Sequence, residues 1–493
     1  MTRTLAAVDL GAQSGRVAVG RFDGARLAVE EVHRFENVPV ERDGRLRWDF
    51  ERLWEDVVAG LRKAASAGEV ASVAVDSWAV NFGLLDAGDR LLADPVHYRD
   101  RRRAAAFEGV LDRVPARELY ERTAIQLLPI NTIFELAALA ADGDGALGSA
   151  ARLLLVPDLF HRRLCGSDVT ELTNASTTQC FDPHTGGWAT DLLERLDVPT
   201  ALLPDVVAPG TVLGEADAQA GLAGAAVVAT ATHDTAAAVA AVPLHGARSA
   251  YLSVGTWSLV GVESDAPVVS EEAFRANLTN ESGVDGTYRV LRNVTGLWLL
   301  HECRRAWAAD GRPHDFAELV ERAQTAPPLR SLIDPDDPAF AEPGAMPSRI
   351  GTYCESTGQD RPPDDAATVR CILESLALKH AETVDVVAAV TGRDLEELHV
   401  VGGGANNELL CAWTAQASRR PVVAGPAEAT VVGNLLVQAV ALGELASLAE
   451  GRALVARSFA PRRYEPVPDT AWEDARGRFA ELTQRGPALE VSA

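Results

Sequence analysis

Asp9-Leu10-Gly11-Ala12-Gln13-Ser14-Gly15-Arg16 and Ser253-Val254-Gly255-Thr256-Trp257-Ser258 are two versions of one local pattern, about 240 residues apart. Each begins at the end of a short apolar run, residues 5–10 in the first case and 249–254 in the second. Each is followed by renewed alternation of apolar and polar residues, over 16–22 and 258–263. Strand, glycine turn and strand make a hairpin. Finding the same device once in each half predicts two related halves, with a boundary near 243–248.

Beyond the first copy, a third strand is predicted over 26–32 after the Asp23-Gly24 turn. A helix follows over 50–64, with Leu53, Trp54, Val57, Val58 and Leu61 on one face. A short buried strand over 70–75 ends at Asp76, so the order is β-β-β-α-β. Helices are read over 119–123 and 132–141, a strand over 227–232, and a helix from Thr235 to Val242. Around the second copy, an irregular Pro- and Asp-rich stretch over 327–347 precedes a long helix over 365–391. Then come a strand over 398–401, the loop Gly402-Gly403-Gly404, and Asn406 as the cap of a helix over 407–418. A strand over 420–424 and a helix over 428–443 complete this half. The segment after Val455 is polar and reads as a surface covering. The expected division is 1–244, 245–455 and a tail 456–493.

The 493 residues are 47% hydrophobic and 24% charged, an ordinary globular balance that excludes a disordered chain or a disulfide scaffold. Lys plus Arg is 46 and Asp plus Glu is 70, giving a net charge of −24. So acidic a surface argues against nucleic acid and anionic membranes as partners. Asp9 interrupts the N-terminal apolar run, and His233-Asp234 breaks the Ala-rich stretch 223–244, so neither a secretion signal nor a membrane span is read. The six cysteines form no Cys-x-x-Cys pair, which leaves zinc ribbons and thioredoxin-type chemistry unsupported. The expected location is cytoplasmic.

Five segments can carry chemistry, and each also has a structural reading. The turn Ala12-Gln13-Ser14-Gly15-Arg16 offers backbone N–H groups, a hydroxyl and a guanidinium to a phosphate, with Asp9 at the strand end beside it. It is equally a plain hairpin turn, and it is not a Walker loop, since Gly-x-x-x-x-Gly-Lys-Ser/Thr occurs nowhere. Thr256 in the second turn offers another hydroxyl. His233-Asp234-Thr235 stands at a strand-to-helix junction, either as a helix cap or as a general base where ligands meet strand ends. Gly402-Gly403-Gly404 allows a flat base or phosphate to approach the backbone. Asp76-Ser77-Trp78-Ala79-Val80-Asn81-Phe82 can read a sugar through carboxylate, amide and indole, or be strand-end polars around a core tryptophan.

Taken together and in this order, the segments resemble the FGGY carbohydrate kinases. Asp9–Arg16 is similar to their phosphate-1 element, Gly255-Thr256-Trp257-Ser258 to phosphate-2, and Val401–Gly404 to the adenosine element. Further similar strings are Pro95–Asp100, Leu155–Phe160, Thr173–Gln179, His233–Ala236, Asn293–Leu300, Gly425–Ala429 and Gly433-Asn434, so the resemblance spans residues 5–445. The strings lie nearest the branch that phosphorylates L-rhamnulose at O1.

The resemblance implies an α/β fold of two ribonuclease-H-like, actin-like ATPase domains with a catalytic cleft between them. It implies ATP and Mg²⁺ as cofactors, a ketose substrate, and the following roles. Asp234 is the catalytic base. His233, Thr235 and Asn293 are sugar contacts, with Ala79 and Asn81 on the sugar loop. Ala12, Gln13, Ser14, Gly15, Arg16, Thr256, His301, Gly402 and Gly403 bind the nucleotide, and Asp9 holds the metal. Three residues depart from the pattern: Ala79 replaces a glycine that approaches the sugar, Asn81 replaces an aspartate, and His301 stands where glutamine is common. These departures bear on the sugar and not on phosphoryl transfer, and two other readings stand beside the first. One is a kinase for another ketose (L-fuculose, L-ribulose or D-xylulose). The other is a sugar- or nucleotide-binding module without catalysis. The family sometimes carries cysteines at the positions of Cys354 and Cys371; in a reducing compartment free thiols are expected there.

Overall fold

A computed structural model describes residues 3–143, 145–244 and 246–485. Two compact units emerge, and neither is contiguous in sequence. The first comprises residues 1–243, 263–290 and 429–459; the second comprises 244–262, 291–428 and 460–493.

The first unit is built on a six-stranded sheet. Arg3–Leu10 pairs antiparallel with Ser14–Phe22 across the glycine turn, and Ser14–Phe22 pairs antiparallel with Leu27–Glu36. On its other side Arg3–Leu10 runs parallel to Ser72–Ser77, which runs parallel to Ala226–Ala229. Thr211–Glu215 closes the far edge. The helix Phe50–Ser66 forms because Asp49 caps its Arg52 amide and its apolar residues recur on one face. Leu53, Val57, Val58, Leu61 and Ala64 are buried, while Trp54 is only partly covered.

The second unit repeats the plan. Ser249–Val254 pairs antiparallel with Trp257–Ser264 and parallel with Glu397–Val401, which is parallel to Val422–Ala424. The long helix Asp365–Thr391 starts at the Asp364 cap and stops at Gly392, whose φ of 65° suits glycine. It is buried almost all round, so its apolar pattern is broad rather than striped.

Three expectations change. The predicted strand over 227–232 ends at Ala229: the Glu171 carboxylate accepts both the amide (2.9 Å) and the hydroxyl (2.7 Å) of Thr232, which withdraws that amide from the ladder, while the Thr232 carbonyl still accepts the Ser77 amide at 2.9 Å. The cap of Glu408–Ser418 is Asn407, whose Oδ1 accepts the Leu410 amide at 3.0 Å; Asn406 lies in the short turn before it. The C-terminal segment is not merely a polar covering. Arg462–Tyr464 adds an antiparallel strand beside Val422–Ala424, and Trp472, Ala475 and Phe479 of Thr470–Arg485 are buried. Among the described residues, all six cysteines are free, and no helix is long and apolar enough to cross a membrane.

Candidate active site

In the first unit, three parallel neighbours deliver three carboxylates to one edge of the sheet. Asp9 and Asp76 are register partners near the C-terminal ends of their strands. Asp234 follows shortly after the end of Ala226–Ala229, where His233 bridges to Ser77. Strand C-termini of parallel sheets are the usual place for ligands. The neighbouring carboxylates bear on how Asp76 and Asp234 ionise. Burial raises the pKa of Asp76 well above the usual carboxylate range, and Asp9's charge adds to that rise, while a 2.6 Å hydrogen bond from Asn434 Nδ2 opposes it. Burial also raises Asp234; His233 opposes this and Asp9 adds to it.

Asp9 is partly neutralised. Arg16 Nε and Nη2 both donate to its Oδ2, at 2.8 and 2.6 Å. The intervening turn is backed by Asn37, a residue that sequence reasoning missed. Its amide N–H donates to the Gln13 carbonyl and its Nδ2 to the Gly11 carbonyl, both at 2.9 Å. Ala12, Gln13, Ser14 and Arg16 are partly accessible along this turn; Gly15 is buried, and a Cβ there would lie 2.2 Å from the Phe35 ring.

Asp234 is the first residue of Asp234–Ala240 rather than its cap, a place taken by His233. Its Oδ1 accepts the Thr235 amide at 2.6 Å and the Thr235 hydroxyl at 3.2 Å, and lies 3.3 Å from His233 Nε2. Oδ2 is left open, and the side chain retains 31% exposure. Thr235 is buried. Below this corner Glu171, Thr173 and Thr232 interlock. Glu171 accepts the Thr173 hydroxyl at 2.6 Å, and Thr173 Oγ1 accepts the His233 amide at 3.3 Å. The sequence flagged Thr173 only within a matching string and did not flag Glu171.

The expected sugar loop divides. Ala79 is partly accessible, between the buried Trp78 and Val80. Val80 takes φ 64°, costly for a β-branched residue, with its carbonyl held by Thr132 Oγ1 at 2.9 Å. Asn81 faces inward. Its Oδ1 accepts the indole N–H of both Trp48 and Trp78 at 2.9 Å, and its Nδ2 donates to the Val96 carbonyl at 2.8 Å. At 1% exposure, its amide is committed to the core.

In the second unit the Gly255-Thr256-Trp257 turn is tied to the start of Trp298–Ala309. The Gly296 amide donates to Thr256 O at 3.1 Å and the Leu297 amide to Gly255 O at 2.9 Å. The contact is so close that a Cβ on Gly296 would lie 2.5 Å from the Trp257 carbonyl carbon. Thr256 stays partly accessible, and so does His301 in the first turn of that helix. Burial, helped by the charges of Arg304 and Arg305, pushes the His301 imidazole down to about 4, so it is neutral at pH 7. Gly402 has φ 77°, and its α-carbon approaches Val254, where a Cβ would meet the carbonyl oxygen at 2.9 Å. Gly403 beside it is exposed, with open space where a side chain would go. Asn293, an expected sugar contact, belongs to this second unit and is partly accessible.

Among the described residues, no group of three or more His, Cys, Asp or Glu converges to cage a metal. Asp9 nevertheless fits a Mg²⁺ held through water. Arg16 occupies one carboxylate oxygen and leaves the other, and Mg²⁺ characteristically keeps several waters and binds through one or two carboxylates plus substrate phosphates.

Comparison with known proteins fits this arrangement. Residues 4–241 match the N-terminal domain of the FGGY family of carbohydrate kinases, and residues 250–442 match its C-terminal domain. A rhamnulokinase of Bacteroides thetaiotaomicron is 42% identical over 484 residues, covering 97% of this chain and 99% of its own. One from Pectobacterium carotovorum is 41% identical over 485 residues, covering 98% and 97%. Among solved structures, a gluconate kinase from Lactobacillus acidophilus superposes with a TM-score of 0.81 at 16% identity, over 100% of this chain and 99% of that one. A xylulose kinase from the same organism gives 0.80 at 17%, covering 99% of each. At such identities the superpositions speak to the fold alone. With two family domains matched in order over most of its length, and hairpin turns and glycine loop in place, the chain belongs to the FGGY family of carbohydrate kinases.

Proposed function

We propose that this carbohydrate kinase transfers the γ-phosphoryl group of ATP to O1 of L-rhamnulose, with Asp234 as the general base. The observation that carries the reading is the asymmetry of the Asp234 carboxylate: Oδ1 is engaged by Thr235 and His233, and Oδ2 is open. A base must present one oxygen to the proton it accepts, within about 2.6–3.2 Å of the donor. The ketose assignment is supported by the two rhamnulokinases that align over nearly the whole chain.

On this reading the ketose O1 hydroxyl faces Oδ2. As the bond from O1 to the γ-phosphorus forms and the bond to the ADP oxygen breaks, Asp234 takes the O1 proton on Oδ2. His233 and Thr235 hold the carboxylate in place. Ala12–Arg16 and Thr256 offer N–H and hydroxyl donors to phosphate oxygens, and Gly402 with Gly403 gives a flat surface to adenosine. Mg²⁺, bound with the nucleotide and oriented through Asp9, supplies charge neutralisation on the phosphates. Most of the acceleration then comes from positioning and charge stabilisation.

Asp234→Asn keeps the shape and most hydrogen bonds but removes the proton acceptor. It lowers kcat by roughly 10²–10⁴, the range of a general base, with ATP affinity and thermal stability retained. Steady-state ADP release measures it. Near-normal turnover in folded Asp234→Asn protein contradicts the assignment.

A further inference from the structure

We infer that Arg289 is a positioning residue for this reaction: it sets which nitrogen of His233 carries the proton, and thereby turns an N–H toward Asp234. The inference deepens the reading of Asp234 as the base and rests on it.

Arg289 lies in the strand Tyr288–Thr295 and is fully buried, at 0% exposure. Its Nε donates to the Ser282 carbonyl at 3.2 Å. Its Nη2 lies 3.0 Å from His233 Nδ1 and 3.0 Å from Glu281 Oε2. A guanidinium only donates. Nδ1 must therefore accept, and an imidazole that accepts on Nδ1 carries its proton on Nε2. Nε2 is 3.3 Å from Asp234 Oδ1. The chain of direction runs from Arg289 through the ring toward the carboxylate: the N–H of Nε2 faces Oδ1 at 3.3 Å, the oxygen on which the two Thr235 donors converge, and Oδ2 stays open.

Glu281 makes the role of Arg289 specific. Its Oε2 lies 3.3 Å from the same Nδ1. Without the guanidinium, that carboxylate draws a proton onto Nδ1. Nε2 then faces Asp234 as a bare lone pair, or the ring becomes an imidazolium between two carboxylates. Either state alters the base. The backbone of His233 is anchored separately, through Thr173 Oγ1 and the Glu171 bonds to Thr173 and Thr232. Arg289 thus acts on the ring, while the loop keeps its place without it.

The test is ¹⁵N NMR of the full-length protein labelled at histidine, with the His233 signals identified by their loss in His233→Gln. Resting wild-type protein is expected to show the Nε2–H tautomer at His233. Arg289→Lys, which still only donates, is expected to retain it, and Arg289→Met to protonate Nδ1. In parallel, Arg289→Met is expected to lower kcat/KM for the ketose by roughly 10–100-fold, the effect typical of an orienting partner of a functional histidine. Arg289→Lys recovers most of that loss, and KM for ATP stays close to wild type. A wild-type His233 protonated on Nδ1 overturns the inference. So does Arg289→Met protein that keeps the Nε2–H tautomer, or one that changes tautomer with unaltered ketose kinetics. If Arg289→Met does not fold, the wild-type and Arg289→Lys spectra decide. The tautomer is read without turnover, so its outcome stands apart from that of Asp234→Asn.

Discussion

The two oxygens of Asp234 have different surroundings, and the difference has a consequence in pH. Burial first, and then the charge of Asp9, raise the carboxyl above its ordinary value of about 3.9. The proposed base would work ionised, so activity is expected to be lost as pH falls through the raised pKa and to recover as pH rises through it. The acid limb of kcat/KM for the ketose is therefore expected at a higher pH than an exposed aspartate would give, and a pH-rate profile measures it. Asn81 makes the opposite case. In the sequence it looked like a sugar contact and a source of altered specificity. The structure commits its amide to Trp48, Trp78 and the Val96 carbonyl. Asn81→Asp keeps the acceptor for both indoles but loses the donor to Val96, leaving a buried carbonyl unpaired at a cost of about 1–3 kcal/mol. It is expected to lower thermal stability and leave the ratio of kcat/KM between L-rhamnulose and L-fuculose unchanged; a changed ratio would return Asn81 to the sugar site. Residue types were legible at both positions, but which way a strand-end side chain points depends on partners far away in sequence.

Among the elements, the helix Ala429–Ala441 fastens the acidic edge from behind. Gly433 is its closest point of approach: a Cβ there would lie 1.7 Å from the Ala237 carbonyl oxygen, in the helix that begins with Asp234. One turn of polar residues then locks onto the sheet. Asn434 Nδ2 bonds Asp76, Gln438 Nε2 bonds the Ala6 carbonyl at 3.0 Å, and Gln438 Oε1 accepts the Ser72 hydroxyl at 2.6 Å. Gly433→Ala must push the two helices apart. It is expected to cost about 1–3 kcal/mol of stability, as overpacking does, and to lower kcat more than ATP affinity because Asp234 moves with its helix. Thermal melts and steady-state kinetics check both; wild-type behaviour would mean the helices are not in contact there. The helix itself was legible from its apolar run, and so was Asp365–Thr391. Asn434 and Gln438 were not legible as a pair, because their partners lie some 360 to 432 residues earlier in the chain. The strand expected over 227–232 failed for a similar reason, since Glu171 captures Thr232 across 61 residues.

For the whole molecule, the repeated strand–turn–strand device was the informative feature. Each sheet places a hairpin strand beside a parallel pair: Arg3–Leu10 with Ser72–Ser77 and Ala226–Ala229, and Ser249–Val254 with Glu397–Val401 and Val422–Ala424. Two hairpin turns and a triple glycine therefore disclosed the α/β class and the family. The true composition of the units was hidden. Residues 263–290 and 429–459 belong to the first unit although they follow the second hairpin strand, and no local signal marks such returns of the chain. Glu281 and Arg289 lie in the first of these returning segments, which is why the sequence did not link them to His233. Sugar-dependent ADP release from Mg²⁺–ATP is the decisive measurement for a ketose kinase working through Asp234. L-rhamnulose would be run beside L-fuculose, L-ribulose and D-xylulose, with wild-type and Asp234→Asn protein. The highest kcat/KM is expected with L-rhamnulose, and it is expected to collapse in Asp234→Asn. Preference for another ketose would contradict the substrate, and no sugar-dependent release from protein that binds ATP would contradict the catalysis itself.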